Sequence, residues 1–170
     1  MGEVNLSKRI LAALVLFTTG AVASAGPASV RVSQPNFQSP RPLDDQTKNT
    51  VIKDYLQSWQ VMANALEQNR PDLIDGAFIG SAKADLVSTI QQQTAIGIRT
   101  RYHDRSHDLQ LLFYSPEGLS IELADNVDYD VEVLNRGKLE TTQRVHVRYI
   151  AVLTPSEVRW LVRVFQAEAV

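Results

Sequence analysis

The hydrophobic pattern of this chain changes period once, and that change limits what it can fold into. From Asp44 to about Ile98 apolar residues recur every three or four positions, and from there to the C-terminal end they alternate with polar ones. The first period marks amphipathic helices and the second half-buried strands. A run of helices followed by a run of strands gives an α+β layout rather than a parallel α/β one. The expectation is two to three N-terminal helices packed on a curved, four- to six-stranded antiparallel sheet.

Local signals place the elements. Asp44 and Asp45 put acceptors and negative charge where the first helix begins, and Ile52, Tyr55, Leu56, Trp59, Met62, Ala63 and Leu66 form its apolar stripe. Asn69-Arg70-Pro71 ends it, a short turn with Pro71 at its first position follows, and Ser81 is read as the N-cap of a second long helix. RTRYHD, HDLQLLFY, LSIELADNVDYDVEVL, LETTQRVHVRYIAVL and VRWLVRVFQ are the strand candidates. Pro116-Glu117-Gly118 and Asn135-Arg136-Gly137 each suit a three-residue hairpin loop closed by a left-handed glycine, and Thr154-Pro155-Ser156-Glu157 makes the last connection.

Composition removes several function classes. With 170 residues, 44% of them hydrophobic, the chain suits one domain with a substantial core. There is no cysteine, which excludes disulfides, thiol nucleophiles and thiolate metal sites. The 17 basic and 19 acidic residues leave a net charge of −2, which offers no electrostatic footprint for nucleic acid.

Lys8 and Arg9 precede the apolar run ILAALVLFTTGAVA, which ends at Ala23-Ser24-Ala25. This is the layout of an export signal over residues 1–25, cleaved after Ala25. The expected location is therefore extracytoplasmic, periplasmic or secreted. The alternative is an uncleaved membrane anchor formed by residues 10–23, a run shorter than the roughly 20 residues a span needs. Residues 26–43 carry four prolines and no periodicity, and are read as an extended linker without regular structure. The folded domain is expected over residues 44–168.

Within LSIELADNVDYDVEV every second residue is apolar except Asp125. If the two loops are as read, Leu109 lies opposite Asp125 on one side and Val147 on the other, with His107 and Tyr149 diagonal to it. Tyr129 and Gln143 then oppose each other further along, and Thr141 shares the face. The other face pairs Asp128 with Arg144, Asp130 with Thr142 and Arg148 with Arg163 in a solvated charge ladder. It also carries Leu112, Ile150, Val152, Leu161 and Phe165, a mixture that would support a homodimer through the sheet.

Helices first, then a curved meander with one very long strand and a closing hairpin reading YIAVLTPSEVRWLVRVFQ, resemble the nuclear-transport-factor-2-like superfamily over about Asp44 to Ala167. That resemblance implies a cone of bent sheet wrapping the first helix. It implies either an enzyme like ketosteroid isomerase, scytalone dehydratase or the polyketide cyclases, with Asp, His or Tyr as acid and base inside the cone, or a non-catalytic module such as a periplasmic secretion-system domain. A shared fold does not choose between the two.

Three readings of Asp125 stay open. A bulge at LADNV would rotate it outward. A buried hydrogen bond to His107 or Tyr149 would make it structural. A desolvated carboxylate beside a donor would make it a general base, with His107 or Tyr149 stabilising the oxyanion. The candidate catalytic residues are Asp125, His107 and Tyr149, and the candidate ligand-binding residues add Tyr129, Gln143 and Trp59. His103, Asp104, His107 and Asp108 crowd together but supply no further ligand at metal-site spacing, so no metal and no cofactor are expected. The function expected is a non-enzymatic, exported binding or assembly module for an unknown protein or small apolar ligand. The alternative is an isomerase- or cyclase-type enzyme using Asp125.

Overall fold

Asp44 caps helix α1 (Asp45–Gln68), its carboxylate accepting the Thr47 amide at 2.8 Å. The helix stops at Asn69, which adopts the left-handed conformation at φ 52°. These details come from a computed structural model that describes residues 27–33, 37 and 39–168. The segment read as an export signal or anchor, residues 1–25, lies outside the described residues. No helix among the described residues is long and apolar enough to cross a membrane.

A 3-10 turn (Pro71–Gly76) follows, with proline at its first position, where a missing N–H costs nothing. Helix α2 (Gly80–Ile96) begins one residue before Ser81 and is capped by Ile79 with no side-chain bond, so Ser81 is not its N-cap. The Ser81 hydroxyl instead donates to the Arg163 carbonyl at 3.2 Å.

The sheet has five strands, β1 (Ser29–Ser33), β2 (Ile98–Tyr114), β3 (Ile121–Asn135), β4 (Lys138–Pro155) and β5 (Trp160–Ala167), side by side in chain order. Strands β2 to β5 are antiparallel, but β1 runs parallel to β2, so the sheet is mixed rather than wholly antiparallel. β1 also corrects the reading of residues 26–43 as a linker without regular structure. It buries almost no side chain and is held by its ladder to residues 106–110, which explains why apolar periodicity missed it.

RTRYHD and HDLQLLFY are one strand rather than two. The residues Asp104-Arg105-Ser106, which look like a turn, form a bulge inside β2, and a second bulge falls between Leu111 and Phe113. Others interrupt the β3–β4 and β4–β5 ladders. Such insertions bend and twist a sheet, and here they curve it around α1. Trp59, Tyr55, Met62 and Leu66 from the helix meet Leu109, Leu123, Val127, Val147 and Leu153 from the concave face in one continuous core. Full burial contributes about 1.5–3 kcal/mol for each large aliphatic side chain.

Register decides which residues share the concavity. On the β2–β3 side the loop is one residue longer than expected, because Ser115 bonds to Ser120, and the bulge near Leu112 takes that residue back. Leu109 therefore lies opposite Asp125, as expected. On the β3–β4 side the two departures add. The loop is a two-residue turn with positive φ at both Arg136 (48°) and Gly137 (84°), and a bulge at Glu140 displaces the ladder again. Tyr149, not Val147, is thus directly opposite Asp125, and Val147 pairs with Val127. Beside Asp125 each total displacement is even, so Leu109 and Tyr149 keep the face expected of them. Leu119, expected as the first inward residue, lies in the loop and is 61% exposed.

Candidate functional site: a sealed acid at the axis of the cone

Asp125 points inward from a regular stretch of β3 and is fully buried, so no bulge turns it outward. Two donors converge on one of its oxygens. Tyr55 Oη donates to Oδ2 at 2.9 Å, and His107 Nδ1 lies 2.7 Å from the same atom. Trp59, one helical turn after Tyr55, donates its indole N–H to the Tyr55 oxygen at 2.8 Å. Residues four apart on a helix stack on one face, and this spacing strings Trp59, Tyr55 and Asp125 into a relay across the axis.

The charge states follow from the surroundings. Burial works against a charged ring at His107, but the flanking carboxylates of Asp104 and Asp125 outweigh it and hold its pKa up at about 9. The ring is therefore an imidazolium at neutral pH. It donates from Nδ1 to Asp125, while Nε2 faces Asp104 Oδ2 at 3.7 Å. Burial, followed by the charge of Asp125, pushes the Tyr55 phenol well above its ordinary value, so it stays protonated and donating. Burial likewise raises Tyr149 and Tyr129. The other Asp125 oxygen, Oδ1, has no hydrogen-bond partner among the described residues.

Aromatic rings close the cluster. Trp59 meets His107 edge-on at 5.3 Å, Tyr149 at 5.4 Å and Phe165 at 5.5 Å between centroids. Tyr149 stacks on Phe165 at 4.5 Å, so Phe165 faces the core and not the outer side of the sheet. Tyr149 lies beside Asp125 but turns its hydroxyl to Tyr129, 3.5 Å away. Of the sequence candidates, Asp125, His107, Tyr149, Tyr129 and Trp59 come together. Gln143 and Thr141 do not, because the shifted register puts them opposite Val131 and Val133 on the exposed far end of β4.

Tyr55 joins the site although the sequence presents it only as one position of an apolar stripe. Its signal was the phenol itself, which needs a partner when buried. Asp54 is a second polar residue that the sequence pattern does not single out. It is buried and accepts the Trp160 amide at 2.8 Å, pinning the start of β5 to α1. Asp104 leads outward from the cluster. It lines a polar groove of about 300 Å³ between α1 and β2, together with Gln60, Asn64, Tyr102 and His103.

On the outer face the register also revises the charge ladder. Asp128 pairs with His146 at 3.0 Å, Asp130 lies opposite Arg144 and is held by Arg105, and Arg148 pairs with Glu168 rather than facing Arg163. Beside this ladder Phe113, Val152 and Val164 join Ile150 and Leu161 in a part-exposed apolar patch around the buried Ala124.

No family profile and no curated protein matches the chain. Solved structures do. The intermembrane space region of chloroplast protein ARC6 aligns with TM-score 0.61 at 10% identity, over 76% of this chain and 100% of that one. A scytalone dehydratase-like protein from Novosphingobium aromaticivorans aligns with TM-score 0.53 at 10% identity, over 74% of this chain and 87% of that one. At such identity the likeness establishes the fold alone, a curved α+β cone of the nuclear-transport-factor-2-like type. One of these neighbours bears the name of a dehydratase and the other that of an intermembrane space region, and a shared fold does not choose a role.

Proposed function

We propose that the chain is an exported, non-enzymatic binding or assembly module that pairs with a second copy through the outer face of its sheet. One observation carries the reading: Asp125, the candidate base, is fully buried and held by Tyr55 and His107, with Trp59 donating to Tyr55. A general base must meet the proton it abstracts at hydrogen-bond range. Asp125 meets only its own chain. The part-exposed apolar patch around Ile150, Val152 and Val164 gives the module a surface to use, and the Lys8-Arg9 and apolar-run pattern at the N-terminus supports export with cleavage after Ala25.

Three measurements test this. Intact mass of the protein recovered from the cell envelope or medium should begin at Gly26, and a mass retaining residues 1–25 would replace export by anchoring. Light scattering should give a dimer that Ile150→Glu with Val152→Glu converts to monomer, and a monomeric parent removes the assembly claim. Cross-linking in envelope extracts should then capture a partner only for the parent.

A second reading, an isomerase- or cyclase-type enzyme with Asp125 as base, is favoured by one observation, the unpartnered Oδ1 of Asp125. It requires the Tyr55–Trp59 side of the cone to swing away. A small apolar ketone that shifts the indole signal of Trp59 and is turned over by the parent but not by Asp125→Asn would establish it.

A further inference from the structure

The groove between α1 and the first half of β2 lies outside the sealed cluster, and Asp104 belongs to both. Its Oδ2 is 3.7 Å from the His107 ring, beyond hydrogen-bond range, and its Oδ1 has no hydrogen-bond partner among the described residues. A carboxylate oxygen shielded from water without a donor is costly. The cations nearby are committed elsewhere: Arg101 pairs with Glu67 and Glu132, and His107 is shared with Asp125. The walls add acceptors, the side-chain amides of Gln60 and Asn64. On the rim β1 pairs with β2 only from Ser106 onward, so Tyr102–Asp104 have no strand on their outer edge among the described residues.

We propose that this groove is a binding site for a primary ammonium group, with Asp104 as its counter-charge. An ammonium carries three N–H donors, which the Asp104 carboxylate and the amide oxygens of Gln60 and Asn64 match in number and sign. The group has two sources. One is the chain itself: Ala28 lines the groove, and cleavage after Ala25 creates an α-ammonium two residues upstream, within about 7 Å of chain. This source rests on the export reading. The other is a free amine, which does not.

The chain from Gly26 onward keeps every described residue, so it serves for both arms. Its free-amine form should melt about 2–4 °C above the same chain acetylated at Gly26, a difference that Asp104→Asn abolishes. Glycinamide titrated into the acetylated form should shift the amide signals of Tyr102 to Asp104 saturably. The titration should weaken at least tenfold in Asn64→Lys, which places a fixed cation at an exposed helix position and leaves Asp104 in place. A melting difference alone assigns the site to the chain's own terminus, and saturable glycinamide binding alone assigns it to a free ligand. Equal melting with no saturable shift, or responses that survive both substitutions, overturns the proposal. The intact mass of the exported protein tests cleavage separately.

Discussion

Strand β3 carries two aspartate–histidine pairs three residues apart, and they behave as different objects. Asp125 meets His107 at 2.7 Å inside the cone, where their side chains are 0% and 3% exposed. Asp128 meets His146 at 3.0 Å on the outer face, where the side chains are 30% and 69% exposed. The alternation of a strand separates them. An odd offset from Asp125 sends Asp128 through the sheet to water. The residue types and distances are nearly the same, so the contrast isolates what burial does to a charge pair. Outside, water already solvates both partners and the pair contributes about 0–1 kcal/mol. Inside, neither partner has an alternative, and the pair holds together because breaking it strands a charge.

The largest test of that contrast is to remove one partner on each side. His107→Ala should cost about 3–5 kcal/mol in urea unfolding, because Asp125 is left buried, while His146→Ala should cost less than about 1 kcal/mol. Replacing Asp125 and His107 together by leucine should cost less than His107→Ala alone, since no charge then remains unpaired. Equal costs for the two single histidine variants would erase the distinction.

The next effect is on pH. Folded His107 keeps its proton to about pH 9, whereas the unfolded residue releases it near 6.5. Its contribution to stability is therefore whole below pH 6.5 and is lost as pH rises through 9. The loss should be on the order of 3 kcal/mol and should be absent from His107→Gln. A flat stability profile between pH 6.5 and 9 would show that the flanking carboxylates do not hold the proton.

Smaller again is Tyr55→Phe, which removes one donor to Asp125 and the acceptor of the Trp59 indole while keeping the ring. A cost of about 1–3 kcal/mol is expected, together with a shift of the Trp59 indole N–H signal. Last comes Asp128→Asn on the outer face, expected to change stability by no more than about 0.5 kcal/mol.

The fold was legible because the switch from a helical to a strand period around Ile98 is a property of many residues at once. That Asp125 points inward was legible for the same reason: alternation fixes the face even when the partner is wrong. The identity of its neighbours was only half legible. His107 came into view through a register in which a longer loop and a bulge cancelled, and Tyr149 took Val147's place where a tighter turn and a bulge added. Bulges at Arg105 and Glu140 have no strong residue signature, and the one at Glu140, added to the tighter turn, carries Gln143 away from the site. Tyr55 was hidden by a different cause. A helical stripe predicts which residues are buried but not which strand they face, so the bond from α1 to β3 needed the tertiary arrangement. β1 was illegible because a strand that buries almost nothing leaves no hydrophobic pattern.

The paired departures at the two hairpins carry a consequence for how this chain tolerates change in length. Each loop and its neighbouring bulge displace the ladder by one position, and only their combined parity reaches the core. The sheet in effect counts modulo two. An insertion of two residues near Gly137 slides one strand along another and leaves inside and outside intact. A single insertion turns β4 over, sending Tyr149 and Val147 to water and Arg148 toward Trp59, unless a bulge arises beside it to restore the count. Related chains would be expected to differ at these corners by compensated steps, and Asp125 keeps its place at the axis through all of them.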